Sequence, residues 1–247
     1  MEVCIKSEKG NFRPENQDYA SFISKGDWTF AILCDGMGGH FGGSLCSKLT
    51  CENFKKSFEL NFDIDMQAND SLKISKWFNK TLNFVKEVLI NYARKNNIFI
   101  DMGTTLTAVL VFNITKKMYV FNVGDSRTYV YDKKLIQITR DQNFFNYLVN
   151  EKKWNEEEAR LHPDANKLVS CLGPKKIMQW DSFCIEPSGL LKYVILTSDG
   201  LHDNVDSEEF KSILNSDNNL EEKASNLINK AIENESKDNL SVVILEL

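Results

Sequence analysis

The sequence predicts an α+β fold in which antiparallel sheets pack against helices. Three β-hairpins are the first observation, since three pairs of β-rich runs each flank a short polar turn, at residues 26–27, 113–117 and 132–134. Helical patterns between the groups of strands are the second observation. Hairpins favour antiparallel sheets, and helices inserted between strand groups favour α+β layering.

The elements follow one another clearly in the first half of the chain. The runs DYASFIS and WTFAILC form the first hairpin, and a helix is expected next from Leu45, Leu49, Phe54 and Phe58. Residues 61–75, NFDIDMQANDSLKIS, read as a polar loop. Apolar residues then recur at steps of four, three, four and three, as in one stripe of an amphipathic helix. They are Phe78, Leu82, Val85, Leu89 and Tyr92.

The second half continues with strands and then alternates strand and helix. TTLTAVLVFNITKKMYVFNV and RTYVYDKKLIQIT contain the second and third hairpins. LKYVILTS and LSVVILEL are short β-prone segments, and SEEFKSIL and NLEEKASNLINKAIE between them have helical patterns. No internal repeat or linker separates these elements, so we expect one domain over residues 1–247.

Composition excludes several classes of protein. The 247 residues are 42% hydrophobic and 26% charged, which is typical of an ordinary globular protein. The net charge of −5 favours neither nucleic acid nor an anionic membrane surface as a partner. The six cysteines contain no C-x-x-C pair and read as reduced thiols. Without a leader or a long apolar run, the expectation is a cytoplasmic protein with no membrane association.

The stretch ILCDGMGGHFGGS, residues 32–44, contains the most unusual local pattern. An apolar strand ends at Asp35, and five glycines follow within eight residues, with His40 among them. Glycine inside an element lowers stability. Five glycines close together therefore indicate that the backbone must approach another group closely.

Three aspartates stand at the ends of predicted strands. Asp35 and Asp199 follow apolar strands and precede glycine, whereas Asp238 precedes the last strand. If they converge, their repulsion requires a cation or shared protons, and oxygen ligands suit Mg²⁺ or Mn²⁺. Gly36 would let its main-chain carbonyl serve as a further ligand. The alternative is that each Asp-Gly pair is an ordinary turn.

Two arginines also lie near turns. Arg13, in the loop GNFRPENQDYA, suits bidentate binding of a phosphate, although a surface ion pair with Glu15 or Asp18 is the alternative. Asp125 and Arg127 flank a tight turn in VGDSRTYVY, and there we favour a turn aspartate with a local ion pair.

Seven segments, in order along the chain, resemble the metal-dependent Ser/Thr protein phosphatases of the type 2C family. They are RPENQDYA, CDGMGGHFGG, MGTTLTAVLV, VGDSRTYVY, EEEARLHP, LTSDGLHD and SKDNLSVVI. The resemblance is to the compact bacterial branch and extends over nearly the whole chain, from Gly10 to Leu245. It implies a four-layer αββα sandwich of two antiparallel sheets flanked by helices.

The resemblance also implies a dinuclear Mn²⁺ or Mg²⁺ centre. On the matching positions, Asp35 would bridge both metals, the Gly36 carbonyl would bind one of them, and Asp199 and Asp238 would bind the other. Asp101 and Asp203 are candidates for a third, weaker metal site.

Further residues take roles from the same resemblance. Arg13 would bind the phosphate, Asp18 would support the metal waters, and His40 is a candidate acid for the leaving alkoxide or only pins its loop. A water activated by the two metals would attack phosphoserine or phosphothreonine directly, reversing a cognate Ser/Thr kinase. We expect a monomer that acts on phosphoproteins.

The resemblance makes residues 141–173 a mobile flap beside the substrate groove. Its aromatic residues are expected either to contact a phosphoprotein or to cover the flap's own small core; they are Phe144, Phe145, Tyr147 and Trp154. The chain departs from the usual family residues at four positions that bear on flap packing and substrate preference, namely Ser44, Gln142, Ala165 and Cys171.

Two other functional classes fit the sequence less well. A catalytically weak relative that binds phosphoproteins or partners would lack metal ligands, whereas Asp35, Asp199 and Asp238 are all present. A glycine-loop nucleotide binder would need the pattern G-x-x-x-x-G-K-[ST], and the lysine of GMGGHFGGSLCSK is out of place for it.

Overall fold

Two antiparallel sheets form the centre of the protein. The structure is a computed structural model, and it describes residues 1–38, 42–96, 101–186, 189 and 191–247. The strands, in chain order, are β1 (Glu2–Glu8), β2 (Asp18–Lys25), β3 (Trp28–Met37), β4 (Gly103–Thr104), β5 (Leu106–Phe112), β6 (Met118–Val123), β7 (Arg127–Tyr131), β8 (Leu135–Gln137), β9 (Asp181–Ile185), β10 (Tyr193–Thr197) and β11 (Leu240–Glu246).

Helices connect and cover the strands. In chain order they are α1 (Gly42–Asn61), α2 (Ser71–Asn96), α3 (Phe144–Asn150), α4 (Glu156–Arg160), α5 (Asp199–His202), α6 (Ser207–Leu214) and α7 (Leu220–Glu233). In the described part of the chain, no helix is long and apolar enough to cross a membrane. Capping boxes begin α6 at Asp206 and α7 at Asn219, which fixes where both helices start.

The strand order brings the two ends of the chain together. One sheet has the order β1-β11-β10-β7-β8, and the other has the order β2-β3-β5-β6-β9, with β4 paired to β3. In the first sheet, β1 and β11 pair antiparallel in a register that aligns Glu2 with Glu246. The last strand therefore lies between β1 and β10.

Strand β3 separates two cores through the alternation of its side chains. Trp28, Phe30 and Ile32 face α1 and α2, whereas Ala31 and Leu33 face the other sheet. A third core joins the first sheet to α6 and α7, where Phe210 and Leu227 are buried. The layers are therefore helices, sheet, sheet and helices, which confirms the α+β sandwich.

The three hairpins are confirmed, and two local expectations are wrong. The loop expected over residues 61–75 is shorter, because α1 includes Asn61 and α2 begins at Ser71. The stripe of α1 is also different: Leu45 and Leu49 are only partly buried, while small residues lie against the sheet. The buried residues of α1 are Gly42, Gly43, Cys46, Ser47, Thr50, Cys51, Phe54, Ser57 and Phe58.

Candidate active site

Asp18 and Asp35 lie opposite each other at the ends of two neighbouring strands. The register of β2 and β3 pairs them directly. The peptide of Asp35 is held on both sides: its N–H donates to Thr105 Oγ1 at 2.9 Å, and its carbonyl accepts from the Thr105 N–H at 2.9 Å and from Thr104 Oγ1 at 2.9 Å. These bonds fix the direction in which the Asp35 side chain leaves the sheet.

Only glycine fits at position 36, because the backbones of Gln17 and Gly43 both lie directly against it. A Cβ at this position would lie 2.3 Å from the Gly43 carbonyl oxygen and 2.6 Å from that of Gln17. Its N–H donates to the Gln17 carbonyl at 3.1 Å. The glycine run after Asp35 therefore lets the start of α1 pass directly against the end of β3, as the sequence pattern indicated.

Asp199 and Asp238 meet at the other side of the same cavity. Asp199 begins α5 two positions after the end of β10, and Asp238 lies two positions before the start of β11. Gly200 makes their approach possible, because a Cβ there would lie 2.1 Å from the Asn239 carbonyl oxygen and 3.0 Å from the Asp238 Cβ. The two Asp positions that the sequence placed at strand ends are thus brought together.

One cavity of about 750 Å³ collects these groups between the two sheets. Its charged and amide side chains come from both ends and the middle of the chain; they are Arg13, Glu15, Gln17, Asp35, Asp125, Asn166, Lys167, Lys176, Asp199, Asp238 and Asn239. Asp18 lies beneath it, buried beside Asp35.

The carboxylates share a strongly negative field. Burial raises the pKa of Asp18 to about 7, with the charge of Asp199 adding to the shift. Burial also raises the pKa of Asp35 well above its usual value, and the charges of Asp18, Asp199 and Asp125 act in the same direction. Such a cluster is stable only with bound protons or a cation.

Two further carboxyl groups belong to this field. The pKa of Asp125 is raised to about 8, mainly because the side chain is buried and next because of the charge of Asp199. Burial and then the charge of Asp238 raise the pKa of Asp199. Asp125 lies in the turn between β6 and β7, as predicted, and its charge also belongs to the cluster.

Arg13 contacts the cluster through Asp238. Its Nε donates to Asp238 Oδ1 at 2.8 Å and its Nη2 donates to Oδ2 at 2.5 Å, and this hydrogen-bonded pair raises the pKa of Arg13. The surface alternatives for Arg13 are wrong, because Glu15 accepts from Gln17 and Asp18 accepts from Ser198 Oγ. The arginine side chain is about half exposed at the mouth of the cavity.

The donor set fits hard divalent cations. Asp18 Oδ1 and Asp199 Oδ1 are buried and have no hydrogen-bond partner, which is costly unless another group binds them. Oxygen atoms from clustered carboxylates suit Mg²⁺ or Mn²⁺. Within the described residues no group of three or more His, Cys, Asp or Glu side chains is arranged so that it could hold a metal ion as it stands, and the carboxylate of Asp238 is turned to Arg13.

A second cleft of about 590 Å³ adjoins the cavity along the flap. Arg127 there donates from Nε and Nη2 to Asp141, with Nη2 2.7 Å from Oδ2, and it lies 4.0 Å from Asp203 Oδ1. The local pairing that we favoured for Asp125 is therefore wrong, because Arg127 binds a residue 14 positions further along. His202 is buried beside it and donates to or accepts from Thr197 Oγ1 at 2.8 Å.

The two residues predicted for a third metal site are placed differently, because the charge of Asp203 adds to the raised pKa values of Asp125 and Asp199, whereas Asp101 is not near them in this way. Asp203 lines the flap cleft with a side chain that is 61% exposed, and burial raises its pKa. Asp101 is exposed and is not among the residues that line either cavity, although its carbonyl lies beside Gly38. His40 lies outside the described residues, so its predicted role stays a prediction.

The flap residues pack mostly on one another. Phe144 stacks on Tyr147 with ring centroids 5.6 Å apart and also contacts His162, as does Trp154. The guanidinium of Arg160 lies over the ring of Phe145. These contacts favour the interpretation that the aromatic residues cover the flap's own core.

Gln142 anchors the flap to the active-site loop. Its Oε1 accepts from the Gly124 N–H at 2.8 Å, and its Nε2 donates to Asp181 Oδ2 at 2.9 Å. Because Gly124 directly precedes Asp125, this residue connects the flap, β9 and the carboxylate cluster. The departure from the usual family residue thus has a structural role here.

Sequence reasoning did not predict seven of the charged and amide residues that line the cavity, namely Glu15, Gln17, Asp125, Asn166, Lys167, Lys176 and Asn239. Asn239 binds the first loop, since its Oδ1 accepts from the Gln17 N–H and its Nδ2 donates to the carbonyls of Lys9 and Glu15. The Asp-Asn pair before the last strand was a usable signal for it. Nothing in the local pattern marks the two lysines.

Comparison with known proteins gives consistent matches over the full chain. The model of the family described as protein phosphatase 2C matches residues 13–235. The serine/threonine phosphatase stp of Listeria monocytogenes is 29% identical over 248 residues, with 100% of this chain and 96% of the relative covered. A putative protein phosphatase of Mycoplasma genitalium is 30% identical over 258 residues, with 98% and 93% covered.

Solved structures agree with the fold. The crystal structure of the serine/threonine phosphatase Stp1 from Staphylococcus aureus superimposes with a TM-score of 0.86 at 31% identity, and the match covers 100% of this chain and 94% of that chain.

Proposed function

Because the chain belongs to the protein phosphatase 2C family and is a protein serine/threonine phosphatase, we propose that its catalytic centre is the cavity around Asp35. The family is metal-dependent. The observation that carries the proposal is the convergence of Asp18, Asp35, Asp125 and Asp199 in one negative field, with the cationic Arg13 at its mouth.

We propose that Asp35, Asp199 and Asp238, with the Gly36 carbonyl, hold two Mn²⁺ or Mg²⁺ ions. Asp35 is proposed as the central ligand, because the charges of the surrounding carboxylates all raise its pKa; they are Asp18, Asp199, Asp125 and Asp238. When bound, such ions activate a water for attack on phosphorus and neutralise charge on the phosphate. The third site, from Asp101 and Asp203, stays a prediction.

Asp18 is proposed to orient water rather than to bind metal. Its Oδ2 accepts from Ser198 Oγ at 2.8 Å, while Oδ1 has no partner. A buried carboxylate held at one oxygen presents the other in a fixed direction, so it can accept a hydrogen bond from a water and hold that water's orientation. His40 remains a candidate donor to the leaving serine or threonine oxygen.

Arg13 is proposed to bind the substrate phosphate. Its planar guanidinium forms two parallel hydrogen bonds with Asp238, and the same geometry suits two phosphate oxygens. When Asp238 turns to a cation, Arg13 is released and faces the cavity. Substrate binding and metal binding are thereby linked through one side chain.

We also propose the domain organisation, the substrates, the oligomeric state and the location of the protein. Residues 1–247 form one catalytic domain, with residues 141–173 as the flap beside the substrate. Phosphoserine and phosphothreonine proteins are the substrates, and a cognate Ser/Thr kinase is the opposing enzyme. We propose a cytoplasmic monomer.

The decisive test measures hydrolysis of an aryl phosphate and of a phosphothreonine peptide with Mn²⁺, Mg²⁺ or chelator. The wild type is compared with Asp35→Asn and with Asp217→Asn, a surface control of the same chemistry. We expect metal-dependent turnover that only Asp35→Asn abolishes. A folded wild type without turnover at any metal concentration would instead identify a binding relative.

A further inference from the structure

An apolar groove with a cationic rim runs along the outer helical layer, away from the catalytic cavity. It has a volume of about 450 Å³ and lies between α1 and α2. Its lining residues on α1 are Asn53, Lys56, Ser57, Leu60 and Asn61. Its lining residues on α2 are Lys73, Lys76, Trp77, Lys80, Thr81 and Phe84. Both sets follow steps of three and four, so each comes from a single helix face.

A hydrogen bond between the two helices and a buried tryptophan form the floor of the groove, and its edges are apolar. Ser57 Oγ and Thr81 Oγ1 are hydrogen-bonded to each other at 2.6 Å across the two helices, and Trp77 is buried beside them. Leu60 is 65% exposed and Phe84 is 55% exposed. Exposed large apolar side chains that flank a cleft are typical of interaction sites.

The rim carries positive charge on a protein that is negative overall. Lys73 pairs with Asp70, whereas Lys56, Lys76 and Lys80 form no ion pair with any of the described residues. No Asp or Glu is among the described residues that line the groove. With a net charge of −5 for the whole chain, this local excess of lysine is complementary to an acidic partner.

The dimensions indicate the form of that partner. From Lys73 to Phe84 the groove follows α2 for about 16 Å, which equals three turns of a docked helix. A concave cleft between two helices suits the apolar face of an amphipathic helix, whereas a membrane surface would require a convex or flat apolar face.

We propose that this groove docks an acidic amphipathic helix of a partner protein. Apolar side chains of that helix lie between Leu60 and Phe84 over Trp77, and its Asp or Glu residues face Lys56, Lys76 and Lys80. Such docking goes beyond the phosphatase reaction itself and selects proteins by a segment away from the phosphorylated residue.

The position of the groove allows docking without blocking catalysis. Gly43, near the start of α1, lies beside Gly36 in the catalytic cavity, and the first groove residue on α1, Asn53, is about 15 Å further along the helix. A docked helix therefore leaves the cavity open. It lowers KM for a protein that carries the helix without changing turnover of a small phosphate.

The test uses a fluorescein-labelled peptide of about 12 residues, with Leu and Phe on one helical face and Glu on both flanks. Binding to the full chain is measured by anisotropy, beside the same peptide with Lys for Glu. We expect saturable binding of the acidic peptide only. Lys76→Glu with Lys80→Glu should weaken it about tenfold, and Phe84→Ala about fivefold.

A matched control changes the same charge elsewhere. Lys133→Glu with Lys134→Glu lies in the exposed turn between β7 and β8, and it should change peptide affinity less than about twofold. Aryl phosphate turnover should be equal in all variants, which separates this proposal from the proposed reaction. Absence of saturable binding, or equal losses in both double variants, would overturn it.

The last experiment measures binding of the protein to anionic vesicles of phosphatidylglycerol. If the wild type binds them, if Lys76→Glu with Lys80→Glu abolishes that binding, and if the acidic peptide does not bind, the groove is a membrane contact and the docking proposal is wrong.

Discussion

Arg13 and Asp238, 225 residues apart, form a bidentate pair at the mouth of the proposed catalytic cavity. The pair joins the arginine that we propose to bind phosphate to a carboxylate that we propose as a metal ligand. On this proposal, Arg13 competes with the metal for Asp238 and also binds the substrate. Removing it should therefore have opposite effects on the two ligands.

Arg13→Ala is expected to lower kcat/KM for a phosphothreonine peptide about a hundredfold, because a charged donor to the phosphate is lost. The same variant should tighten the apparent affinity for Mn²⁺ about two- to fivefold, since an exposed ion pair of this kind is worth about 1 kcal/mol or less. Activity titrations with Mn²⁺ measure both effects. Arg94→Ala, on the exposed end of α2, is the control, and weaker Mn²⁺ binding by Arg13→Ala would contradict the competition.

The stability of the metal-free protein should fall as pH rises. The folded-state pKa values of Asp18 and Asp125, about 7 and about 8, lie above the value of 3.8 of an unperturbed Asp. The folded protein thus binds more protons than the unfolded chain above about pH 4, and the stabilisation from these protons is lost as pH rises through about 7 to 8. Thermal unfolding with chelator from about pH 5.5 to 8.5 measures the decline in Tm.

Excess Mn²⁺ provides the control for this pH dependence. Cations replace the protons in neutralising the cluster, so the Tm should then vary much less over the same range. A Tm that rises with pH in the presence of chelator would show that the carboxylates are not protonated together as described.

Asp35→Asn should stabilise the metal-free protein while it abolishes turnover. The side chain loses a buried charge that is repelled by Asp18 and Asp199, so the free energy of unfolding at about pH 8 should rise by about 1 kcal/mol in chelator. Mn²⁺ should no longer raise the Tm of this variant. Urea unfolding of the wild type, Asp35→Asn and Asp217→Asn tests this, and a destabilised Asp35→Asn would refute it.

Gly200→Ala should destabilise the protein by about 2–3 kcal/mol, because the new Cβ would lie 2.1 Å from the Asn239 carbonyl oxygen. Asp199 and Asp238 would be forced apart, so activity should fall with stability. Gly189→Ala is a matched control, since its Cβ would meet no atom of the described residues within 4 Å. Equal Tm values for the two variants would show that the contact at Gly200 relaxes without cost.

Gln142→Ala should lower the free energy of unfolding by about 1–2 kcal/mol through loss of the bonds to Gly124 and Asp181. Activity should fall as well, because Gly124 holds the loop that carries Asp125. Gln179→Ala, an exposed position on the segment before β9, serves for comparison. Chemical unfolding and peptide turnover measure the two effects, and unchanged values for Gln142→Ala would remove its anchoring role.

Periodicity predicted the elements that bury one complete face. The hairpins and the stripe of Phe78, Leu82, Val85 and Leu89 were confirmed because their apolar residues recur at the period of the element. Strand β1 has no such signal, since it is an edge strand with half-buried side chains. The start of α2 was missed because its first turn is mostly exposed.

Contacts between distant segments limited what the sequence predicted of the site. The aspartates at strand ends were recognisable, because an apolar strand followed by Asp-Gly is a local pattern. The partner of Arg127 was not, since Asp141 is brought to it by the β7–β8 hairpin rather than by a neighbouring position. The burial that raises the pKa of Asp125 likewise arises only when both sheets are stacked.

The pairing of β11 between β1 and β10 has a consequence for biosynthesis. A nascent chain that has emerged only as far as β10 has β1 and β10 available but lacks the strand that joins them. Asp238 and Asn239, which reach the cavity and the first loop, emerge with that strand. The proposed catalytic centre can therefore form only after β11 has been synthesised, and ribosome-bound chains that end before Leu240 should be inactive towards any phosphate ester.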